Sequence, residues 1–288
     1  MAIRDFLLPL MSYPRPVTEA VIEAVVALCA GLASDDDGAA VKTRISALVY
    51  EIEIESGLYF EGAHAGEFLA SEAKKSAASA QQLVRWFEAA VSRHAVPHRC
   101  SLERGTFYNV RGKLIEAARL HHLTVLPLRR DDEDQFDGVE GVIFESGRPV
   151  LVFPQTSVPR LATSFDNIAI AWDASRPATR AVSDAMPFLR QAKSVRVFTA
   201  TDDKPLSSAQ SQQFIAHLAG LGINAVHEDV KKTDSHSIGS FMEAYVASRE
   251  IDLLVMGAYG HSRLREFILG GATRSILTNP PCWVLLSH

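Results

Sequence analysis

Three glycines at positions 257, 260 and 270, in the segment VMGAYGHSRLREFILGGATRSILTN, are the residues whose type and spacing could do chemistry. They fall between the residues of a strand end and those of a helix, in an otherwise polar connection. Glycine is costly inside regular structure, so this cluster marks backbone that turns sharply or comes close to a ligand. Without side chains in the way, amide N–H groups can face an anion directly. The start of the following helix, at Gly271, Ala272 and Thr273, adds a dipole that favours phosphate. A phosphate chain is the ligand such a segment would hold. Arg263 and Arg265 lie in the same connection and could attract a triphosphate, although arginines placed this way more often form a solvated face. His261 beside the loop reads as a surface histidine.

The elements that position this segment alternate. In the second half, strands are expected at 167–175, 194–201, 224–231, 252–257 and 282–287, and helices at 177–192, 207–222, 236–251 and 271–279. Strand and helix in strict succession point to a mostly parallel sheet covered on both faces. In such a sheet ligands sit beyond the carboxyl ends of strands where the order reverses, and the glycine segment leaves the sheet at such an end. The first half repeats the order more faintly. Strands are expected at 4–12, 41–53, 98–105, 123–128 and 149–153, with helices at 17–33, 65–95 and 109–122. AARLHHLTVLP (117–127) lies over ASREIDLLVMG (247–257), and GRPVLVF (147–153) resembles NPPCWVLL (279–286). An internal duplication follows, with domains at 1–156 and 163–288 joined by the polar, proline-bearing QTSVPRLATSFD (155–166).

The order of the second half, with Gly257, Gly260 and Gly270 between its fourth strand and last helix and WDAS at the end of its first strand, resembles the universal stress protein family. The resemblance covers the second half nearly end to end and the first half faintly, as in a tandem member. It implies two tandem open-sheet α/β domains, Rossmann-like and adenine nucleotide alpha hydrolase-like, each with a mostly parallel five-stranded sheet. It further implies ATP, with Mg, as the ligand. Ala171 and Asp173 would stand by the adenosine, Ala200 would close the base pocket, and Met256 and Gly257 would line it. Gly260 and Gly270 would approach the phosphates, and Gly271, Ala272 and Thr273 would offer helix-start amides. The ATP-binding pattern of the family carries serine or threonine where this sequence has Gly271. That costs one hydroxyl contact, about 0.5–1.5 kcal/mol net, which Thr273 is near enough in sequence to replace.

The first half lacks these features. Matching SYP (12–14) with SRP (175–177) puts Leu10 where Asp173 stands, and Pro127 falls where Gly257 stands. Proline has no amide hydrogen to give a phosphate. The run after it, RRDDEDQFD, would repel one. Asp131, Asp132, Asp134 and Asp137 do not make a calcium loop, because the glycine at the sixth position and the glutamate at the twelfth are missing. They read as a solvated acidic loop. His121 and His122 are adjacent, and so not spaced as metal ligands.

The totals set the outer bounds. A chain of 288 residues suits two domains, and a net charge of -5 offers no bulk positive field to nucleic acid. Cys29, Cys100 and Cys282 form no CxxC pair and read as reduced core residues. No apolar run approaches the ~18 residues of a membrane span, and Asp5 and prolines interrupt the opening MAIRDFLLPLMSYPRP, so a cytoplasmic protein is expected. No nucleophile and base can be paired, and GxSxG, HExxH and GxxxxGK[ST] are absent. The expected role is therefore binding, with at most slow ATP hydrolysis. Two alternatives remain. One is a module of the same fold that binds no nucleotide and associates through strands such as CWVLLS, as a homodimer or as an intramolecular pseudo-dimer. The other is a flavin or dinucleotide enzyme, disfavoured because no GxGxxG follows the first strand of either half.

Overall fold

The computed structural model describes residues 3–32, 43–54, 65–130, 132, 135–155, 163–199, 207–228, 230, 237–258 and 271–288. The chain divides into two compact units, Ile3–Val125 and Leu126–His288. Most of the connection expected to join the halves, 155–166, lies outside the described residues.

The first unit contains β1 (Asp5–Met11), α1 (Glu19–Gly31), β2 (Arg44–Ile52), α2 (Ala65–His94), β3 (His98–Gly105) and α3 (Phe107–Arg119), and β4 (Leu123–Leu128) carries the chain out of it. Its strands are ordered β3-β2-β1-β4, with parallel pairing throughout. Six of the seven residues of β1 are buried, as expected of a strand covered on both faces. Along α2, Ala80, Leu83, Phe87, Ala90 and Val91 are buried at helical spacing, and α2 packs on β2. A closed polar network ties α2 to the carboxyl ends of the two central strands. Ser12 Oγ lies 2.7 Å from Ser76 Oγ. Ser76 Oγ donates to Ile52 O at 2.7 Å, and Ile52 N donates to Ser12 Oγ at 3.1 Å. Both serines are buried, and the network satisfies them.

The second unit contains α4 (Phe136–Glu145), β5 (Val150–Pro154), β6 (Asn167–Ala171), α5 (Arg176–Leu189), β7 (Ser194–Phe198), α6 (Ser208–Gly220), β8 (Ala225–Glu228), α7 (Ile238–Ser248), β9 (Leu253–Gly257), α8 (Gly271–Thr278) and β10 (Trp283–Ser287). The order is β5-β10-β9-β6-β7-β8. All pairs are parallel except β5 with β10, which is antiparallel. The closing strand of the first repeat thus pairs with the closing strand of the second, inside one chain. Helix starts follow the sequence: Ser175 Oγ accepts from Ala178 N at 3.2 Å, and Ser207 and Gln210 form a capping box at α6. The helix α4 was not expected. Gly138, Gly141 and the acidic residues before them obscure its period, yet Val139, Val142 and Ile143 are buried.

The β5·β10 pair is held by more than backbone. Phe153 and Trp283 stack with centroids 4.0 Å apart and planes 23° apart, and Phe165 and Phe188 extend the cluster. Phe153 and Trp283 are both buried. Replacing Phe153 by alanine removes the partner of Trp283 and opens a cavity, and an expected loss of about 3–5 kcal/mol follows. Urea unfolding of the full chain measures it, with Phe153→Leu expected to lose clearly less.

Candidate functional site

β6 is the strand at which the order reverses. Its neighbours are β9 on one side and β7 on the other, reached through α5, so the carboxyl ends of β6 and β9 flank the crevice where open α/β sheets place ligands. Ala171 pairs with Met256 in register at this edge, Gly257 follows, and Met256 is buried. Beyond Ala171 the chain makes a tight turn. Ser175 N donates to Asp173 Oδ1 at 2.9 Å, Ala174 takes a positive φ of 56°, and Ser175 then caps α5. Asp173 therefore organises the turn and sits half-exposed at its rim. Trp172 is fixed on the β7 side, its N–H donating to Phe198 O at 2.9 Å and its carbonyl accepting from Thr199 Oγ1 at 3.0 Å.

Gly257 has a packing reason of its own. An ideal Cβ there would lie 2.4 Å from Ala178 N and 2.6 Å from the Pro177 carbonyl carbon, so only glycine lets the first turn of α5 come down on the end of β9. Next to it, Ala258 N donates to Ser287 O at 2.8 Å, which ties the exit of β9 to the end of β10.

The last helix opens with Gly271, Ala272 and Thr273, the turn in which a helix's backbone N–H groups point out along its axis. Gly271 is exposed, whereas Thr273 is only 2% exposed, so this turn offers solvent its backbone ahead of the threonine side chain. α8 rests on α7 through a close approach: a Cβ on Gly239 would lie 2.6 Å from Ser275 Cβ. The structure thus brings together Ala171, Asp173, Met256 and Gly257, and places Gly271, Ala272 and Thr273 at the start of α8. Ala200, Gly260 and Gly270, with His261, Arg263 and Arg265, lie outside the described residues.

Anchoring the repeats on β4 and β9 corrects the equivalence drawn for the first half. Phe6 faces Leu123 as Ile168 faces Leu253, so five residues on it is Met11, not Leu10, that stands for Asp173. No carboxylate occupies the position in either alignment. Asp132, part of the acidic run, is buried and paired with Arg129 at 3.4 Å, so this member of the run is not solvated. Among the described residues no cluster of His, Cys, Asp and Glu could hold a metal ion, and no helix is long and apolar enough to cross a membrane. The cysteines are free. Burial pushes the Cys29 thiol up to about 12, and burial with the charge of Glu88 pushes Cys100 up to about 11.

The second half, residues 164–288, matches the model of the universal stress protein family. This half is a universal stress protein domain. The full chain is similar in fold to a universal stress protein from Archaeoglobus fulgidus, at 17% identity and a TM-score of 0.66, over 98% of this chain and 95% of that one. It is also similar to a functionally unknown protein from Pseudomonas aeruginosa, at 13% identity and a TM-score of 0.53, over 99% of this chain and 92% of that one. No curated protein matches the sequence.

Sequence reasoning missed one polar cluster of the universal stress protein domain. Glu228, at the end of β8, pairs with Arg196 of β7. It also accepts from Tyr245 Oη at 3.0 Å and from Arg249 Nε at 3.2 Å. Burial pushes the Glu228 carboxyl up, but the hydrogen bonds from Arg196 and Tyr245 and the nearby arginine charges outweigh it, and the net shift is downward. Spacing could not reveal this, since the cluster joins β7, β8 and the C-terminal end of α7.

Two predictions follow from these contacts. Gly257→Ala forces α5 off β9, with an expected loss of about 1–3 kcal/mol. Gly271→Ala, whose Cβ would meet Ile238 Cγ2 at an ordinary 3.7 Å, is expected to stay within about 0.5 kcal/mol of the native chain. Urea midpoints of the two variants check the contrast. For Glu228, a lowered folded pKa means its stabilisation is complete above the ordinary glutamate range and is lost as pH falls through the folded value. Glu228→Gln is expected to cost about 1–2 kcal/mol near neutral pH. That difference should narrow as urea titrations are taken below about pH 4.

Proposed function

We propose that the universal stress protein domain binds ATP or a related adenine nucleotide, with Mg, in a cytoplasmic stress-response role, and that the first half is a scaffold without a nucleotide site. The observation that carries the reading is the place of the glycine-bearing segment. It leaves β9 at the switch point beside β6, where Asp173 stands in a tight turn half-exposed. The first turn of α8 lies at the far end of the segment and supplies amides and a favourable dipole for phosphate oxygens. Asp173 is the group placed to accept from ribose hydroxyls. The first half supports the scaffold role through what its strand ends do instead: Met11 replaces the carboxylate, Pro127 replaces Gly257, and α2 closes over Ser12. The role is binding, which fits a crevice where no nucleophile and base are paired among the described residues.

An association module that binds no nucleotide is the second reading. What favours it is the antiparallel β5·β10 pair, the kind of contact such a module would use. The same pair weakens the need for a second chain, because β10 already has both neighbours.

Equilibrium dialysis of the full chain against ATP and Mg separates the readings. Saturable binding is expected, weakened about ten- to a hundredfold by Asp173→Ala, which removes a charged hydrogen-bond acceptor. Gly270→Val is expected to abolish it. No binding of ATP at millimolar concentration by the native chain would reject the nucleotide reading and leave the association module.

A further inference from the structure

A cleft of about 520 Å³ opens between α5 and α6. Right-handed crossovers place both helices on one face of the sheet. α5 packs on β9 and β10 and α6 packs on β8, which leaves space between the two helices. Trp172 and Phe214 form an aromatic wall, stacked with centroids 3.8 Å apart and planes within 2°. Val182 and Met186 face it from α5, and Ser183 and His217 lie on the rim. The Asp173 turn closes one end of this space with Trp172 and Ala174.

The lining selects the chemistry of an occupant. Apart from His217, no acidic or basic side chain among the described residues borders the cleft, so a triphosphate or other strongly charged group would lose hydration against this lining with no countercharge. The apolar members offer a flat aromatic surface beside a methionine, whose unbranched chain adapts to irregular shapes. Small-molecule sites run to about 300–1,000 Å³, mostly apolar with a few placed polar groups, and this cleft has that size and composition. We infer that the cleft between α5 and α6 binds an uncharged, mostly apolar small molecule that carries a flat ring, with a hydrogen-bonding group towards Ser183 and His217. Such a site shares the Asp173 turn with the nucleotide crevice through Trp172 and Ala174, while its apolar body lies along α5 and α6.

The probe is N-phenyl-1-naphthylamine, an uncharged ring compound whose emission rises in apolar surroundings, titrated into the full chain. Saturable binding of one probe per chain is expected, accompanied by a change in Trp172 emission. Ser183→Arg places a charge in the cleft from an exposed position, so the fold is expected to tolerate it, as far-ultraviolet circular dichroism checks, while probe affinity falls by at least about tenfold. Millimolar ATP is expected to leave the probe in place. The inference is overturned by non-saturable binding, by equal affinity in native and Ser183→Arg chains, or by displacement of the probe by ATP.

Discussion

The approach of α5 to β9 at Gly257 is the constraint from which the geometry of the second half follows. With Ala178 N and the Pro177 carbonyl carbon 2.4 and 2.6 Å from where a Cβ would stand, the helix start is pressed on the strand end as far as backbone allows. That fixes the length of the turn from β6, which the chain meets with Asp173, a positive φ at Ala174 and the Ser175 cap. Each is a local device for reversing direction within a few residues. The crevice beside them is a by-product of the same packing. A glycine read from sequence as an anion contact turns out to have a steric duty that would preserve it with or without a ligand.

A second constraint acts at the other end of the sheet order. β10 carries TrpValLeuLeuSer, all five residues buried, and an apolar strand of that kind left at an edge would recruit another chain. β5 meets it antiparallel and the Phe153–Trp283 stack locks the register, since a slip of one residue would leave the two rings on opposite faces of the sheet. Two strand-and-helix series in one polypeptide therefore supply the partner that one series alone would need from outside. This also explains why the compact units divide inside β4, well before the end of the first repeat. β5 closes the first strand-and-helix series in sequence and belongs to the second unit by its contacts.

Most of the fold was legible because its signals are local. Alternating apolar runs and helical periods gave nearly every element to within a few residues, and Ser175, Ser207 and Ser237 mark helix starts with side chains that accept from the backbone. α4 was lost because Gly138 and Gly141 and a run of acids mask the apolar stripe of Val139, Val142 and Ile143. The site was legible only in part. Gly257 could be named from spacing and Asp173 from the family resemblance, but their contacts could not, because the atoms that crowd Gly257 come from a helix some eighty residues earlier in the chain. The cluster around Glu228 was invisible for the same reason, and so was the α5–α6 cleft, since a space between helices has no sequence pattern.

The two halves treat the end of their first strand differently. Both must keep the residues that pair strands and cover the sheet, since each failure there exposes an apolar face. A ligand site is different, because one copy suffices. In the first repeat the carboxyl ends of β1 and β2 are spent on packing: Ser12, Ser76 and Ile52 close a buried hydrogen-bonded ring under α2. In the second, the corresponding strand end leaves Trp172 and Asp173 half-exposed. A buried, fully paired network rigidifies its surroundings and has no donor left for a ligand. The trade between stability in one copy and an accessible crevice in the other is thus written in the same few residues after the first strand of each repeat.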